Sequence, residues 1–388
     1  MKKYDIILIE CVYNLSLHYN MDVKNLAELL IACGYKVAVV NYLKNNNYHQ
    51  NSNYDVINLN VPDRFVKISF RKGKNKLKNV IKEIIQDINN YKLFRYIFNI
   101  ITKYSDNYYI GSLRSEIIPV LLLRIFKSKQ IFVWGLRSHF LIPTNKSIIK
   151  IKINFKKNLL KILSRSRKLK IFVSNEMIKK DFEKIGFNKY NLIVRPERFL
   201  YSVNYQTKKN NIFTITTLGS LRKDKNILFL IDVINKVPDI QYIIAGRCVE
   251  SYEELLKKKI MEVGNPHIIR KDGFIPDDEY NKIFLNSDFF IFADFEEDST
   301  KTNGTFLEAI LNSTPVIAPD YPSYSYFVNK YNIGILYEPE NEESLVKAIE
   351  KAKTLKADYF RDGIIKFQHD HLIDYVANKL KQQLIKIL

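Results

Sequence analysis

The chain has 388 residues, of which 46% are hydrophobic, so it can fill two cores, and we expect two domains of roughly 150 to 200 residues each. Its three scattered cysteines, Cys11, Cys33 and Cys248, exclude a disulfide framework and a zinc knuckle, and they favour a reducing compartment. The formal net charge of +20 at pH 7 indicates an anionic partner, although general lysine usage accounts for part of the excess.

The first half alternates strand and helix signals from the amino terminus onward. A buried strand is predicted at 4–9, a helix at 21–33 and a second strand at 35–43, which together predict a βαβ unit and a parallel sheet. Asp5 and Glu10 interrupt the first apolar run, so it is expected to be a strand and not a targeting signal. No window approaches the roughly 18 consecutive apolar residues that would span a bilayer, so any membrane contact is expected to be peripheral.

Residues 146–170 form a basic segment in which aliphatic residues alternate with cations and acids are absent. The pattern predicts a basic amphipathic helix that attracts anionic lipid head groups. A nucleic-acid surface is the weaker alternative, because aromatic stacking residues and a helix-turn-helix signature are missing. A helix face that is merely solvated remains open. The cations are Lys146, Lys150, Lys152, Lys156, Lys157, Lys161, Arg165, Arg167, Lys168 and Lys170.

The periodicity stops at 201–210, which we interpret as a linker after a first domain at 1–200. Strand and helix signals then alternate again through a second domain, 211–365, before a helical tail at 366–388. Two doubly wound α/β units are therefore predicted, with a ligand cleft at the carboxyl ends of their strands.

The stretch 289–319 contains the strongest candidate site. An apolar strand at 289–293 leads into a polar loop and then a helix, which Thr302 or Asn303 would cap. Gly304 would allow close approach to the positive end of the helix dipole, which suits phosphate. Glu308, one turn further, would face solvent or a ligand. An ordinary capped helix without a ligand is the alternative.

Four segments of the second half resemble, in order, the carboxyl-terminal domain of glycosyltransferase family 4. That family consists of retaining, metal-independent enzymes of GT-B fold, so the resemblance implies two Rossmann-like domains, a nucleoside-diphosphate-sugar donor and no metal or other cofactor. It also implies that the last helix returns to the first domain. In the first half, only the strand–helix rhythm and KIFVSNEMIKKDFEKIGF at 170–187 are similar to the family. The four segments are TLGSLRKDKN at 217–226, YIIAGRC at 242–248, DGFIPDDEYNKIFLNSDFFIFA at 272–293 and GTFLEAILNSTPVIAP at 304–319.

The resemblance assigns roles to individual residues. Lys225 stands where the family has the lysine that contacts the donor diphosphate, and Glu308 matches the glutamate that binds the ribose hydroxyls. Backbone amides at 304–306 would meet the β-phosphate, and the loop at 274–275 would hold the nucleotide base. The full donor-site prediction is Gly219, Ser220, Arg222, Lys225, Gly246, Arg247, Phe274, Ile275, Thr300, Thr302, Asn303, Gly304, Thr305, Phe306 and Glu308.

Two positions depart from the family pattern. Ser220 follows Gly219 where an arginine is usual, and Arg222 or Lys223 could replace that missing cation. Thr300 stands eight residues before Glu308, where the family has its first glutamate close to the donor sugar. The sugar is therefore left open, and an acidic sugar is conceivable because Lys301 follows Thr300.

Candidate residues in the first domain are fewer. His139 stands in the stretch 134–139, which follows a predicted strand, and the resemblance implies that it lies near the reacting sugar and is catalytic together with Lys225 and Glu308. A histidine that only stabilises its loop is the alternative. Asn14, His18 and Arg137 are candidates for acceptor contact, whereas Arg195 and Glu197 would be either cleft residues or an ion pair at the linker.

Other chemistries lack sequence support. The acids Asp294, Glu296, Glu297 and Asp298 could chelate a divalent ion, but consecutive acids on a loop are usually solvated. P-loop, GxGxxG, GxSxG and HExxH motifs are missing. We expect a cytoplasmic glycosyltransferase on the inner face of the cell membrane that uses a lipid-linked or growing glycan acceptor in surface polysaccharide, lipopolysaccharide or capsule synthesis. A non-catalytic glycan-binding or scaffold protein and a nucleotide-sugar epimerase are the alternatives.

Overall fold

The computed structural model describes residues 2–9, 17–42, 53–61, 76–111, 127–134, 158–159, 161–184, 186–207, 210–295, 303–385 and 387. The chain divides into two compact units. Unit 1 comprises Met1–Phe199 and Ile373–Leu388, and unit 2 comprises Leu200–Leu372.

Unit 1 contains a parallel sheet of seven strands in the order β3-β2-β1-β4-β5-β6-β7. Its strands are β1 (Ile6–Ile9), β2 (Val37–Asn41), β3 (Asp55–Asn58), β4 (Asn107–Ile110), β5 (Gln130–Trp134), β6 (Leu169–Val173) and β7 (Leu192–Val194). Its described helices are α1 (Leu17–Ala32), α2 (Lys76–Ile101), α3 (Glu176–Lys184) and the carboxyl-terminal α11 (Ile373–Leu384).

Strand β1 shows why this sheet is covered on both faces. All four of its residues are buried, and successive side chains of a strand point to opposite faces. Ile7 and Ile9 belong to the hydrophobic cluster that includes Leu93 and Ile97 of α2. Ile6 and Leu8 belong to the opposite cluster, which also holds side chains of α1 and α11. The run of buried aliphatic residues therefore specifies a doubly wound unit.

Unit 2 contains a parallel sheet of six strands in the order β10-β9-β8-β11-β12-β13. Its strands are β8 (Phe213–Leu218), β9 (Ile240–Gly246), β10 (Ile268–Asp272), β11 (Phe289–Ile291), β12 (Val316–Pro319) and β13 (Gly334–Tyr337). Its helices are α4 (Ile227–Ile234), α5 (Glu250–Val263), α6 (Asp277–Leu285), α7 (Gly304–Leu311), α8 (Pro322–Tyr331), α9 (Glu342–Leu355) and α10 (Arg361–Asp370).

The strand order of unit 2 reverses at β8. From β8 the chain proceeds to β9 and β10 on one side, and then returns to build β11, β12 and β13 on the other side. Parallel sheets bind ligands at such a switch point, outside the carboxyl ends of the strands. The loops after β8 and β11 therefore flank the position where a ligand is expected.

The carboxyl-terminal helix packs on unit 1, as predicted. It lies against α1, where the Cys33 thiol donates a hydrogen bond to the carbonyl of Ala377 at 3.3 Å. The return begins at Ile373, a few residues after the predicted start at 366. The segment predicted as a linker, 201–210, is assigned to unit 2, where Gln206 N donates to Ser313 Oγ at 3.1 Å.

Residues 146–157 and 160 of the basic segment lie outside the described residues. Among its described cations Arg165 and Arg167 are exposed, whereas the last one, Lys170, is not on a lipid-facing surface. Lys170 belongs to β6 and is buried, and its Nζ donates to Asn191 Oδ1 at 2.8 Å. Burial lowers the pKa of Lys170. The prediction of a surface cation was wrong here, because the hydrophobic pattern of a central strand overrides the charge of one residue in it.

Candidate functional site

The loops that follow β8 and β9 continue side by side beyond the ends of their strands. Gly219 N donates to Ala245 O at 3.0 Å, and Leu221 N donates to Arg247 O at 2.9 Å. Gly246 adopts a φ of +123°, and a Cβ added there would overlap the carbonyl group of Gly219. The two backbones can approach this closely because Gly246 lacks a side chain.

A short 3-10 turn, residues 223–225, connects the β8 loop to the end of β11. Asp224 O accepts a hydrogen bond from Phe295 N at 3.0 Å. Beside it, Lys225 Nζ forms an ion pair with Asp294 Oδ1 at 2.9 Å, with side chains only 15% and 19% exposed. The candidate diphosphate lysine therefore lies at the switch point, paired with a carboxylate.

Asp294 accepts hydrogen bonds from two further elements of unit 2. The buried Tyr324 of α8 donates its hydroxyl to Asp294 Oδ2, and Asn303 Nδ2 donates to the same oxygen at 3.2 Å. Burial, reinforced by the charge of Asp294, raises the pKa of Tyr324 well above its usual range, so this hydroxyl stays a donor. The expectation that the acids after β11 form a chelating or solvated cluster was wrong for Asp294. A metal-ligand cluster of three or more such residues is also not found elsewhere in the described part of the chain.

Asn303 caps helix α7, as one of the two predicted caps. Its Oδ1 accepts from Thr305 N at 3.1 Å, and its backbone carbonyl accepts from Leu307 N at 3.2 Å. A Cβ added to Gly219 would lie 3.2 Å from Thr305 Oγ1, so the helix start is adjacent to the β8 loop. The Thr305 amide is engaged by its cap, whereas Gly304 is exposed at the helix start. The Phe306 side chain is fully buried in the core.

Glu308 lies one turn into α7 and is half-buried. The hydroxyl of Tyr280 in α6 donates a hydrogen bond to Glu308 Oε2. The Tyr280 ring packs edge-on against Phe284, with the ring centroids 5.1 Å apart. Two helices therefore fix the orientation of this carboxylate.

The loop after β10 contains the candidate base-binding residues. Phe274 is 77% exposed and Ile275 packs partly against the core, so only Ile275 has the character of a core residue. Arg270 holds this loop against β9, because its Nη2 donates to Gly246 O at 2.8 Å and to Asp272 Oδ1 at 2.6 Å. The exposed Phe274 ring is thus available for contact with a ligand.

The two candidates to replace the missing arginine differ in their surroundings. Arg222 binds the Asp224 carboxylate through two hydrogen bonds, at 2.9 and 2.7 Å, whereas Lys223 is exposed. Ser220 and Arg247 are exposed at the same edge of the sheet. Arg222 therefore contributes to the site with part of its charge already neutralised by Asp224.

Some of the residues predicted from the sequence lie outside the described part of the chain. They are Asn14, Arg137, His139, Thr300 and Thr302, together with Glu296–Asp298 and Lys301. His18 lies in the first turn of α1.

The sequence left two roles open for Arg195, a cleft residue or a member of an ion pair at the linker. In the structure its side chain is fully buried in unit 1. Its guanidinium carbon lies 3.9 Å from the ring centroid of Trp134 and 5.6 Å from that of Phe172. A cation in contact with an aromatic face gains from the ring quadrupole. Arg195 therefore supports the end of β5, the strand that precedes His139 in the sequence.

Sequence reasoning missed Tyr280, Tyr324 and the pairing of Asp294. Tyrosines in amphipathic helices give no signal of their own, since they usually pack in the core. The place of Asp294, directly after a buried strand at the switch point, is the one signal that could have identified it.

Residues 203–365 match the family model described as "Glycosyl transferases group 1". No curated protein sequence is significantly similar to the chain. None of the helices described in this structure is long and apolar enough to cross a membrane.

Solved structures of similar fold cover both units. One is Alr3699/HepE of Anabaena, in complex with UDP and glucose, with a TM-score of 0.69, 13% identity and coverage of 99% of this chain and 100% of that one. A glycosyltransferase from Rickettsia africae has a TM-score of 0.68 and 15% identity, with coverage of 100% and 98% respectively. The lipopolysaccharide outer core galactosyltransferase WaaB has a TM-score of 0.62 and 12% identity, with coverage of 99% and 100%.

At these identities the solved structures establish the fold, which is GT-B. Residues 203–365, which lie in unit 2, are similar to the group 1 glycosyltransferases, and the chain is a glycosyltransferase of GT-B fold.

Proposed function

We propose that this enzyme transfers a sugar from a nucleoside-diphosphate sugar to a lipid-linked or growing glycan acceptor with retention of anomeric configuration, as a member of glycosyltransferase family 4. The observation that carries the proposal is the meeting of Lys225, the start of helix α7 and the β8 loop at the switch point of unit 2. A cation, a helix amino terminus and a glycine-lined loop at one place suit a diphosphate.

Each of these groups has a defined task in the proposed reaction. Lys225 neutralises the charge that develops on the leaving nucleoside diphosphate, a task that many enzymes give to a metal ion. The start of α7 adds its dipole at the same place. Glu308, oriented by Tyr280, accepts hydrogen bonds from the ribose hydroxyls, and Phe274 packs against the base.

The transfer step follows from this arrangement. The acceptor hydroxyl attacks the anomeric carbon on the face that the diphosphate leaves, and the leaving phosphate oxygen takes the proton of that hydroxyl. His139 is proposed to lie near the reacting sugar, with Asn14, His18 and Arg137 in contact with the acceptor. No metal or further cofactor takes part in the proposed reaction.

The test is a donor screen with the purified full chain. UDP-glucose is the first donor to try, because HepE has been captured with that molecule, and sugars of UDP, GDP and TDP complete the panel. We expect slow hydrolysis or transfer with at least one donor in the presence of EDTA. Donor binding without release of nucleoside diphosphate, but with a change of sugar configuration, would favour an epimerase. Complete absence of binding and of turnover would favour a scaffold protein.

We also propose that the enzyme works at the inner face of the cell membrane, in bacterial surface polysaccharide, lipopolysaccharide or capsule synthesis. The support is the acid-free basic segment 146–170 and the fold shared with WaaB, a lipopolysaccharide galactosyltransferase. A variant in which the lysines and arginines of 150–167 are changed to glutamate is expected to lose its sedimentation with anionic liposomes. Equal sedimentation of the variant and the unaltered protein would contradict the membrane proposal.

A further inference from the structure

Lys225, the proposed ligand of the donor diphosphate, is already paired with the carboxylate of Asp294. A lysine that binds a diphosphate acts through its charge, yet here that charge is already opposed by a carboxylate at 2.9 Å. Both side chains are mostly buried, so water screens this pair less than it would at the surface. A diphosphate that approaches Lys225 must therefore compete with Asp294.

The carboxylate is held firmly in its place. Tyr324 and Asn303 both donate to Asp294 Oδ2, and the Lys225 ammonium lies against Oδ1. Tyr324 is buried in the core of unit 2, and Asn303 is fixed as the cap of helix α7. Lys225 has a flexible stem and can turn toward a ligand, whereas Asp294 is fixed by two neighbours and stays.

We propose that Asp294 is the counter-charge of Lys225, which competes with the diphosphate for the lysine and so weakens the binding of the nucleoside-diphosphate product. The inference rests on the proposed function, in which Lys225 binds the donor diphosphate. Asp294 touches no reacting atom and acts through Lys225, so it is a positioning residue.

Competition from Asp294 weakens the binding of the nucleoside-diphosphate product more than the binding of the nucleotide-sugar donor. Transfer of the sugar leaves a terminal phosphate whose second ionisation falls near neutral pH, so the product carries more negative charge than the sugar ester. A fixed carboxylate next to the lysine repels the additional charge and favours release of the product. Asp294 thus limits how tightly the spent nucleotide can be held.

The substitution Asp294→Asn tests the inference because it removes the charge and keeps the shape of the side chain. Its amide oxygen can still accept from Tyr324 and Asn303, whereas its Nδ2 offers Lys225 no acceptor. The probe is the nucleoside diphosphate, among UDP, GDP and TDP, that the full-length protein binds most tightly in calorimetry. We expect D294N to bind it about fivefold more tightly, with a smaller gain for the corresponding nucleotide sugar.

A double-mutant cycle separates this mechanism from a structural effect. In the background Lys225→Met, the gain from D294N is expected to fall to less than half, because no lysine is left to be released. Asp358→Asn is the matched control. It removes the same charge at the opposite edge of the sheet, where Asp358 lines a groove with the first residues of β8 and β9, Phe213 and Ile240. It is expected to leave the affinity unchanged.

The outcomes distinguish the inference from the proposed function. Equal or weaker binding by D294N, or a gain that is undiminished in K225M, would overturn the inference while the donor site stands. If the unaltered protein binds none of the three nucleotides, the proposed function fails, and the inference fails with it. A thermal melt of each unliganded variant shows that the compared proteins are folded.

Discussion

Gly246 packs with its Cα against the carbonyl group of Gly219, so that the loops after β8 and β9 leave the sheet as neighbours. Gly246 has a φ of +123° and Gly219 a φ of +115°, both in the region that favours glycine. On its other side Gly219 faces the start of helix α7, where an added Cβ would lie 3.2 Å from Thr305 Oγ1, so the β8 loop borders the candidate donor site.

The substitution Gly246→Ala is expected to destabilise unit 2 by more than about 2 kcal/mol, because its methyl group would overlap backbone that cannot move without breaking the loop pairing. Gly264→Ala is the matched control. Gly264 also has a positive φ, of 62°, but a Cβ there would meet only Met261 O at 3.8 Å. Its cost is expected to be about 1 kcal/mol, from the backbone alone. Equal losses in urea unfolding would contradict the close packing of the two loops.

Tyr280→Phe tests the orientation of Glu308. The hydroxyl of Tyr280 fixes the carboxylate, and a hydrogen bond to a charged group is worth more than a neutral one. We expect the KM for the donor to rise about three- to tenfold with little change in kcat, because the ribose contact is the same in the ground state and the transition state. The control is Tyr359→Phe, at an exposed tyrosine, which should leave KM unchanged. A fall in kcat with constant KM would refute this role.

His371 should make the stability of the protein depend on pH. The ring is buried and stacks on Phe367, and Nδ1 lies 2.7 Å from Phe367 O, to which it donates when neutral. Burial lowers the pKa of His371 from 6.5 to about 4. Above pH 6.5 the ring is neutral in the folded and unfolded states and costs nothing. As the pH falls from 6.5 toward 4 the unfolded chain binds the proton first, and folding loses up to about 3 kcal/mol.

The measurement is the free energy of unfolding of His371→Asn and of the unaltered protein between pH 4 and 7. Asparagine can place its Nδ2 where Nδ1 donates to Phe367 O, but it does not titrate. The stability difference between the two proteins should therefore shrink as the pH falls. His267→Asn, at an exposed histidine, is the control and should leave the pH dependence as it is. A difference that is constant over this range would rule out His371 as the titrating group.

Hydrophobic pattern was sufficient to predict both parallel sheets. Strands such as β1 and β9 are buried almost throughout. In a parallel α/β unit, an aliphatic run between two predicted helices indicates such a buried strand. The helix at α7 and its cap Asn303 were likewise predictable, because capping depends on local sequence.

The pairing of Lys225 with Asp294 was not predictable, because it joins residues that are distant in sequence and meet only when β8 and β11 become neighbours. The acids that follow Asp294 in the sequence indicated a solvated loop, so an ion pair between Asp294 and Lys225 was not expected. The burial of Lys170 was not predictable from the sequence either. Its charge suggested a surface, whereas its partner Asn191 is contributed by the turn before β7.

The central claim is that Lys225 holds the donor diphosphate, and the most direct test is the binding of nucleoside diphosphates to Lys225→Ala. Calorimetry with UDP, GDP and TDP should show binding of at least one nucleotide to the unaltered protein and a loss of at least about tenfold in K225A. The control Lys236→Ala removes an exposed lysine that pairs with Glu342 and should bind as the unaltered protein does. If K225A and K236A bind the nucleotide equally well, Lys225 is not the diphosphate ligand and the account of the site is wrong.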